Sequence, residues 1–364
     1  MDSIKRYIDC HVPVTGCTLR CHYCYITQHR LFDSKLPKFK YSPEHVRKAL
    51  SRERLGGTCL INLCGGGETL LPPEVPAYAK ALLEEGHYVM IVTNGTIDKR
   101  FDEIAAFAPE LTKRLFFKFS YHYMELKKRN LLNRFFSNIR KVRDAGCSFT
   151  LEATPSDEWI PYIDEMKQAA IDNVGAICHI TIARDERDPD KLPILTSLPR
   201  EEYEKTWETF NSPLFKYKLT IYEQRRREFC YAGDWSFYLH LGTGIMSQCY
   251  SSHTYHNIFE DLSKPIPFKA IGKHCKEHHC YNGHSFIVLG DIPELKAPTY
   301  TELRNRKCND GSEWLGAEMK HFMSTKLYQN NKEYSPLKKF ITNTSIKGII
   351  IKDKIKYRLK KFLK

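Results

Sequence analysis

Six short apolar runs, each followed by a helix-forming stretch, fill the first 210 residues of this 364-residue chain, and that alternation limits the folds open to it. The runs are 6–12, 58–64, 88–93, 115–120, 148–154 and 178–183. Their apolar residues are nearly continuous rather than alternating, the pattern of strands covered on both faces in a parallel sheet. Helical stretches at 42–55, 73–85, 98–107, 132–145, 159–170 and 199–210 fill the gaps. Ser42 ahead of Pro43 is a helix start, and Gly86 and Gly146 stand where helices end. Six β-α units in series predict an α/β fold, an incomplete (β/α)6 TIM-like barrel. Such barrels collect their chemistry at the C-terminal ends of the strands, so functional motifs belong immediately after each run.

The cysteines narrow the class. No run of about 18 apolar residues occurs, and the N-terminus MDSIKRYIDCHVPV lacks the apolar core of a secretory signal, so a cytoplasmic enzyme is expected. In a reducing compartment, thirteen cysteines read as metal or cluster ligands rather than disulfides. Two groups stand out, Cys17/Cys21/Cys24 and Cys230/Cys249/Cys275/Cys280. Cys10, Cys59, Cys64, Cys147, Cys178 and Cys308 are scattered, several of them in apolar runs where a thiol packs as a small hydrophobe.

The first group, Cys17-Thr18-Leu19-Arg20-Cys21-His22-Tyr23-Cys24, follows the first strand. Three thiolates need a fourth ligand to complete a structural zinc site, and His22 lies between two of them, where it would strain one. They suit a cubane cluster with one iron left open. Gly65-Gly66-Gly67-Glu68 follows the second strand and Thr93-Asn94-Gly95 the third. This order resembles the radical S-adenosylmethionine (SAM) superfamily. The resemblance implies a 4Fe-4S cluster on Cys17, Cys21 and Cys24, with SAM bound to the open iron. It further implies SAM contacts from Tyr23, Gly66, Gly67, Glu68, Asn94, Ser120, Glu152 and Arg184. Such an enzyme cleaves SAM reductively to a 5′-deoxyadenosyl radical and abstracts a substrate hydrogen atom, with a flavodoxin- or ferredoxin-type protein as electron donor.

The second group surrounds a hairpin, 237–241 and 245–248, turned by Gly242-Thr243-Gly244. Four cysteines there could hold zinc or a fully ligated cluster. Further short strands are expected between 282 and 301. The segment resembles the auxiliary-cluster domains called SPASM and, when shortened, twitch, which implies one auxiliary 4Fe-4S cluster on Cys230, Cys249, Cys275 and Cys280. Cys308 is a candidate outlying member of the group, and His274, His278 and His279 read as solvated or supporting groups, with replacement of one cysteine ligand by a histidine as the alternative. A cluster that accepts an electron would make the reaction a two-electron oxidation needing a base, for which Glu223, Asp234 and Glu152 are the candidates.

The expected organisation is a radical SAM barrel over 1–215, a small cysteine-rich α+β domain over 216–300, a helical segment over 301–345 and a basic amphipathic tail over 346–364. That tail carries eight Lys or Arg against one Asp, +7 of the net charge of +13. Its apolar Ile355, Leu359, Phe362 and Leu363 suit a helix on an anionic membrane surface, at the inner face of the membrane. Basic residues are not spread over a face with aromatics among them, so no nucleic-acid partner is expected. The triad begins at residue 17, which favours a small-molecule substrate such as a sugar derivative, to be oxidised, epimerised or rearranged. A ribosomal peptide or protein side chain is the alternative substrate, and a non-catalytic zinc-binding protein the alternative class.

Overall fold

The computed structural model describes residues 2–362. Its centre is one sheet of nine strands. Six come from the repeats: β1 (Arg6–Val12), β2 (Cys59–Gly65), β3 (Tyr88–Thr93), β4 (Leu115–Ser120), β5 (Ser148–Ala153) and β6 (His179–Ile180). They pair in parallel and in sequence order. The sixth run yields only a two-residue strand. The expected helices are present with shifted ends; the first splits in two at Leu50–Ser51, and Ser42 caps it by accepting from His45 N at 3.2 Å.

Alternate residues of each strand serve different cores, because successive side chains leave opposite faces. Ile8, Cys10, Ile61, Leu63, Val89, Ile91, Phe117 and Phe119 pack under the helices. Tyr7, Leu60, Tyr88, Met90 and Phe116 face the other way and meet Phe286, Tyr300, Leu315 and Phe322 from the C-terminal third, which plug that end of the barrel. Further along, the same face turns polar, with Asp9, Asn62 and Glu152 buried there.

The hairpin forms as expected, from β7 (Ser236–His240) and β8 (Ile245–Ser247), and β9 (Tyr255–Asn257) extends it. Its attachment was not expected. Strand β7 pairs in parallel with β1, Tyr7 opposite Ser236 through His11 opposite His240, so the cysteine-rich segment continues the barrel sheet. Strands between 282 and 301 do not form; Phe286–Leu289 and Tyr300–Arg304 are short helices instead. The last element is one helix, Pro336–Phe362, which starts ten residues ahead of the predicted tail. Ser335 caps it, accepting from Lys338 N at 3.3 Å, and Pro336 takes the first position, where no N–H is needed. Leu363 and Lys364 lie outside the described residues.

Candidate active site

The chain leaves β1 and folds back over its own C-terminal end, carrying the cysteine loop with it. The glycine-rich loop after β2 continues the β1–β2 pairing beyond the strands: Gly67 N donates to Val14 O at 2.7 Å and Glu68 N to Gly16 O at 2.9 Å. The approach is close enough that a Cβ on residue 67 would stand 1.9 Å from the Gly16 carbonyl oxygen. Backbone packing therefore requires glycine at 67, a demand separate from the ligand contact that the motif implied.

One cavity opens between these loops. Cys17, Cys21 and Cys24 line it together with Gly65, Gly66, Gly67, Glu68, Asn94, Ser120 and His122. Glu68 is buried and accepts from Thr93 Oγ1 (2.7 Å), Asn94 N (2.7 Å) and Leu70 N (2.9 Å), which fixes the turn after β3 to the loop after β2. Burial raises its pKa while those three donors act against the rise. Asn94 in turn reaches Thr18 Oγ1 at 2.9 Å and Cys17 Sγ at 3.4 Å. Burial pushes the Cys17 thiol up to about 11 and raises Cys21 and Cys24 as well, the last against the pull of the Arg184 cation.

The donor set fits a cluster. Three thiols share one wall, and His22 does not join them; its ring bonds Ser156 Oγ at 3.2 Å and lies 3.7 Å from Glu158. Among the described residues no three His, Cys, Asp or Glu side chains converge as one ion would require. A cubane takes each thiolate at a different iron, so its ligands need not converge.

Residues 11–157 match the family model described as Radical SAM superfamily. This part of the chain resembles a radical SAM domain. Solved structures similar to the chain include Streptococcus suis SuiB bound to S-adenosylmethionine (15% identity, TM-score 0.49, 73% of this chain and 67% of that one). Two others are of anSMEcpe: one with bound AdoMet (15%, 0.49, 78% and 83%), and the native protein with AdoMet and the Cp18Cys peptide (14%, 0.48, 96% and 99%). No curated protein sequence matches the chain.

The other residues read from the sequence distribute unevenly around this part of the chain. Ser120 lines the first cavity. The Tyr23 ring is buried against Trp159, with its hydroxyl 2.7 Å from His122 Nδ1, and its carbonyl accepts from Gln28. Arg184 and Glu152 are not in that wall. Arg184 pairs with Glu186 at 3.3 Å, and Glu152 is buried between Lys118 and Arg304, each at 3.0 Å, which hold its carboxyl at about 2.

Two of the three proposed bases, Asp234 and Glu223, do not line the first cavity. Asp234 pairs with Arg6 at 2.8 Å and accepts from Tyr334 OH at 2.5 Å. Arg6 opens β1, whereas the cysteine loop leaves its other end, about 20 Å away at about 3.3 Å per residue. Glu223 is half exposed and only 4.0 Å from Arg200 as its nearest cation.

The second cysteine group is brought to a single cavity. Cys230, Cys249, Cys275 and Cys280 line one cavity with Asp291, which is buried, accepts from Ser236 Oγ at 2.5 Å and is pushed up to about 8 by desolvation. Cys308 is elsewhere, donating to Val174 O beside Gly175. No histidine of the 274–279 stretch lines the cavity. His274 bonds Asn343 O at 2.8 Å, and His279 is buried, not solvated, with its ring 4.2 Å from Tyr222.

A third cavity, absent from the sequence reading, lies where these two meet. Asp9, His11, Tyr25, Cys64, Gly65, Arg184, Glu186, Tyr238, Tyr250, Tyr281 and Asn282 line it. Gly65 belongs also to the first cavity, and Tyr250, Tyr281 and Asn282 also to the four-cysteine cavity. Asp9 is its buried carboxylate, accepting from Tyr250 OH (2.6 Å), Asn62 (2.8 Å) and Asn282 (3.4 Å). Burial raises its pKa against those donors. Burial and His240 hold His11 neutral, at about 4. A lone aspartate in an apolar run carries no signal of this, since its partner Tyr250 lies 241 residues away.

Proposed function

We propose that the third cavity holds the substrate of a radical SAM oxidation and that Asp9 is its base. The observation that carries this reading is shared lining: the cavity touches the triad's cavity on one side and the four-cysteine cavity on the other. Cys17, Cys21 and Cys24 would hold a cluster and SAM, which would supply hydrogen-atom abstraction, and Cys230, Cys249, Cys275 and Cys280 would hold an auxiliary cluster, which would supply one-electron oxidation. The chain's own residues do the rest. Glu68, Thr93 and Asn94 fix the glycine loop, Gly67 lets it lie against the cysteine loop, and Gly66 and Gly67 line the cavity. Asp9, its pKa raised by burial, accepts the hydroxyl proton of a secondary alcohol as it becomes a ketone. Tyr250 and Asn282 orient that carboxylate from the cysteine-rich segment. Arg184 and Glu186 at the rim offer polar contacts to a hydroxylated small molecule such as a sugar derivative.

Anaerobic protein with dithionite and SAM is expected to release 5′-deoxyadenosine, and deuterium from the reactive carbon of a substrate to appear in it. Asp9→Asn should preserve 5′-deoxyadenosine release while product formation drops by about 10²–10⁴. Failure of the wild type to form 5′-deoxyadenosine would sink the enzyme reading, and equal product from Asp9→Asn would remove Asp9 from the mechanism.

A further inference from the structure

The C-terminal helix carries a surface that the chemistry above does not use. One of its faces is docked. Thr342 and Ile346 are buried, Asn343 accepts from Lys273 N at 3.0 Å through Oδ1, and Ser345 accepts from Lys269 Nζ at 2.6 Å. The opposite face points out. Leu337, Ile341, Ile351, Ile355 and Leu359 fall on one stripe at helical spacing, bridged by Thr344 and Gly348, with Phe340 beside it. The apolar members are between 49% and 68% exposed. From residue 351 to 360 every position is exposed, so this end of the helix stands clear of the body for about 15 Å at about 1.5 Å per residue.

Charge flanks the stripe. Lys347, Lys352, Lys354, Lys356, Arg358 and Lys360 lie beside or behind it, against the single acid Asp353. A helix exposed all round has no folding reason to display aliphatic side chains in one line, and exposed apolar patches mark contact surfaces. We propose that this helix lies on an anionic lipid bilayer, its stripe in the acyl boundary and its lysines at the headgroups. Charge complementarity selects the occupant: a protein groove would cover the stripe without needing six cations, and nucleic acid would need the cations without the stripe. No helix of the described residues is long and apolar enough to cross a membrane, so the contact is peripheral. Because Asn343 is held by the 273–274 backbone and side chain, next to Cys275, docking would bring the second cysteine site toward the lipid surface.

The test is co-sedimentation of the full chain with phosphatidylcholine vesicles, with or without a minor fraction of phosphatidylglycerol. Binding is expected only to the anionic vesicles and should be lost at high salt. Each flanking lysine is worth about fivefold, so Lys352→Gln with Lys356→Gln should weaken binding about 25-fold. Ile355→Glu with Leu359→Glu should abolish it. All four positions are exposed, and unchanged 5′-deoxyadenosine formation in free solution verifies that the variants fold. Three results would overturn the proposal: equal binding to neutral vesicles, binding indifferent to the glutamates (attachment by charge alone, as to nucleic acid), or a dimer that the glutamates dissolve without any vesicle binding.

Discussion

Replacing Glu152 by glutamine separates a structural carboxylate from a cofactor ligand, the role that the family resemblance assigned to it. Its carboxylate stands 3.0 Å from Lys118 Nζ and 3.0 Å from Arg304 Nε, and Arg304 is fully buried. Those cations outweigh the cost of burial and pull its carboxyl from 4.5 to about 2. At about 1.4 kcal/mol per unit, the shift is worth about 3 kcal/mol. The folded value lies below the unfolded one, so this stabilisation is present above pH 4.5 and is lost as pH falls from there toward about 2. Glu152→Gln leaves both cations facing a neutral amide, and removing one partner from a buried pair costs about 3–5 kcal/mol. Urea unfolding of the reduced, metal-free chain should therefore show a loss of that size at pH 7, with the two proteins converging as the solution is acidified. A loss below about 1 kcal/mol, or parallel pH curves, would refute the reasoning. The folded variant, reconstituted with iron and sulfide, should still release 5′-deoxyadenosine, because Glu152 does not line the first cavity. A variant that folds and binds iron normally but fails to cleave SAM would put Glu152 back in the cofactor site.

Two further outcomes follow from packing and placement. Gly67→Ala drives a methyl into the Gly16 carbonyl oxygen; overpacking costs about 1–3 kcal/mol, and because the displaced strand of backbone carries the cysteine loop, iron retention and 5′-deoxyadenosine formation should both fall, as read by iron analysis and product chromatography. Cys308→Ser should leave the iron content unchanged while Cys280→Ser lowers it by about half, since Cys280 lines the four-cysteine cavity and Cys308 packs against Gly175.

How much of this was legible depended on whether the signal is local. The first five barrel strands were, because strands covered on both faces are apolar throughout and their caps and glycines sit beside them in sequence. The same holds for the cysteine loop, Gly65–Glu68 and Asn94, each defined by its neighbours. Strand β7 read as one arm of a hairpin because its turn is local, while its pairing with β1 joins residues more than 220 positions apart. Carboxylates fared worst. Asp234, Glu152 and Asp9 look alike in the sequence, and only their distant partners sort them: Arg6 and Tyr334 make the first a clamp, Arg304 makes the second a buried anchor, and Tyr250 with Asn282 turns the third toward a cavity. The tail's lysines were plain, but which face of its helix is free depends on Thr342 and Ile346 being buried.

The shared sheet also constrains how the two cysteine sites work together. Strand β1 is hydrogen-bonded to β2 on one side and β7 on the other. The loop holding Cys17, Cys21 and Cys24 leaves β1, the glycine loop leaves β2, and the hairpin that leads to Cys249 begins with β7. Three adjacent strands thus fix these loops against one another by ladder hydrogen bonds, without relying on a hinged domain interface. Asp9, on the central strand, is held from β2 by Asn62 and from the cysteine-rich segment by Tyr250 and Asn282. The separation of the two cysteine sites is then a property of the sheet. The side of the third cavity outside the sheet is the stretch carrying Arg184, Glu186 and Leu192, which Gln28 ties to the cysteine loop through the Arg184 carbonyl and the Glu186 amide. On the reading proposed above, substrate selection would belong to that loop and the aim of the hydrogen abstraction to the sheet.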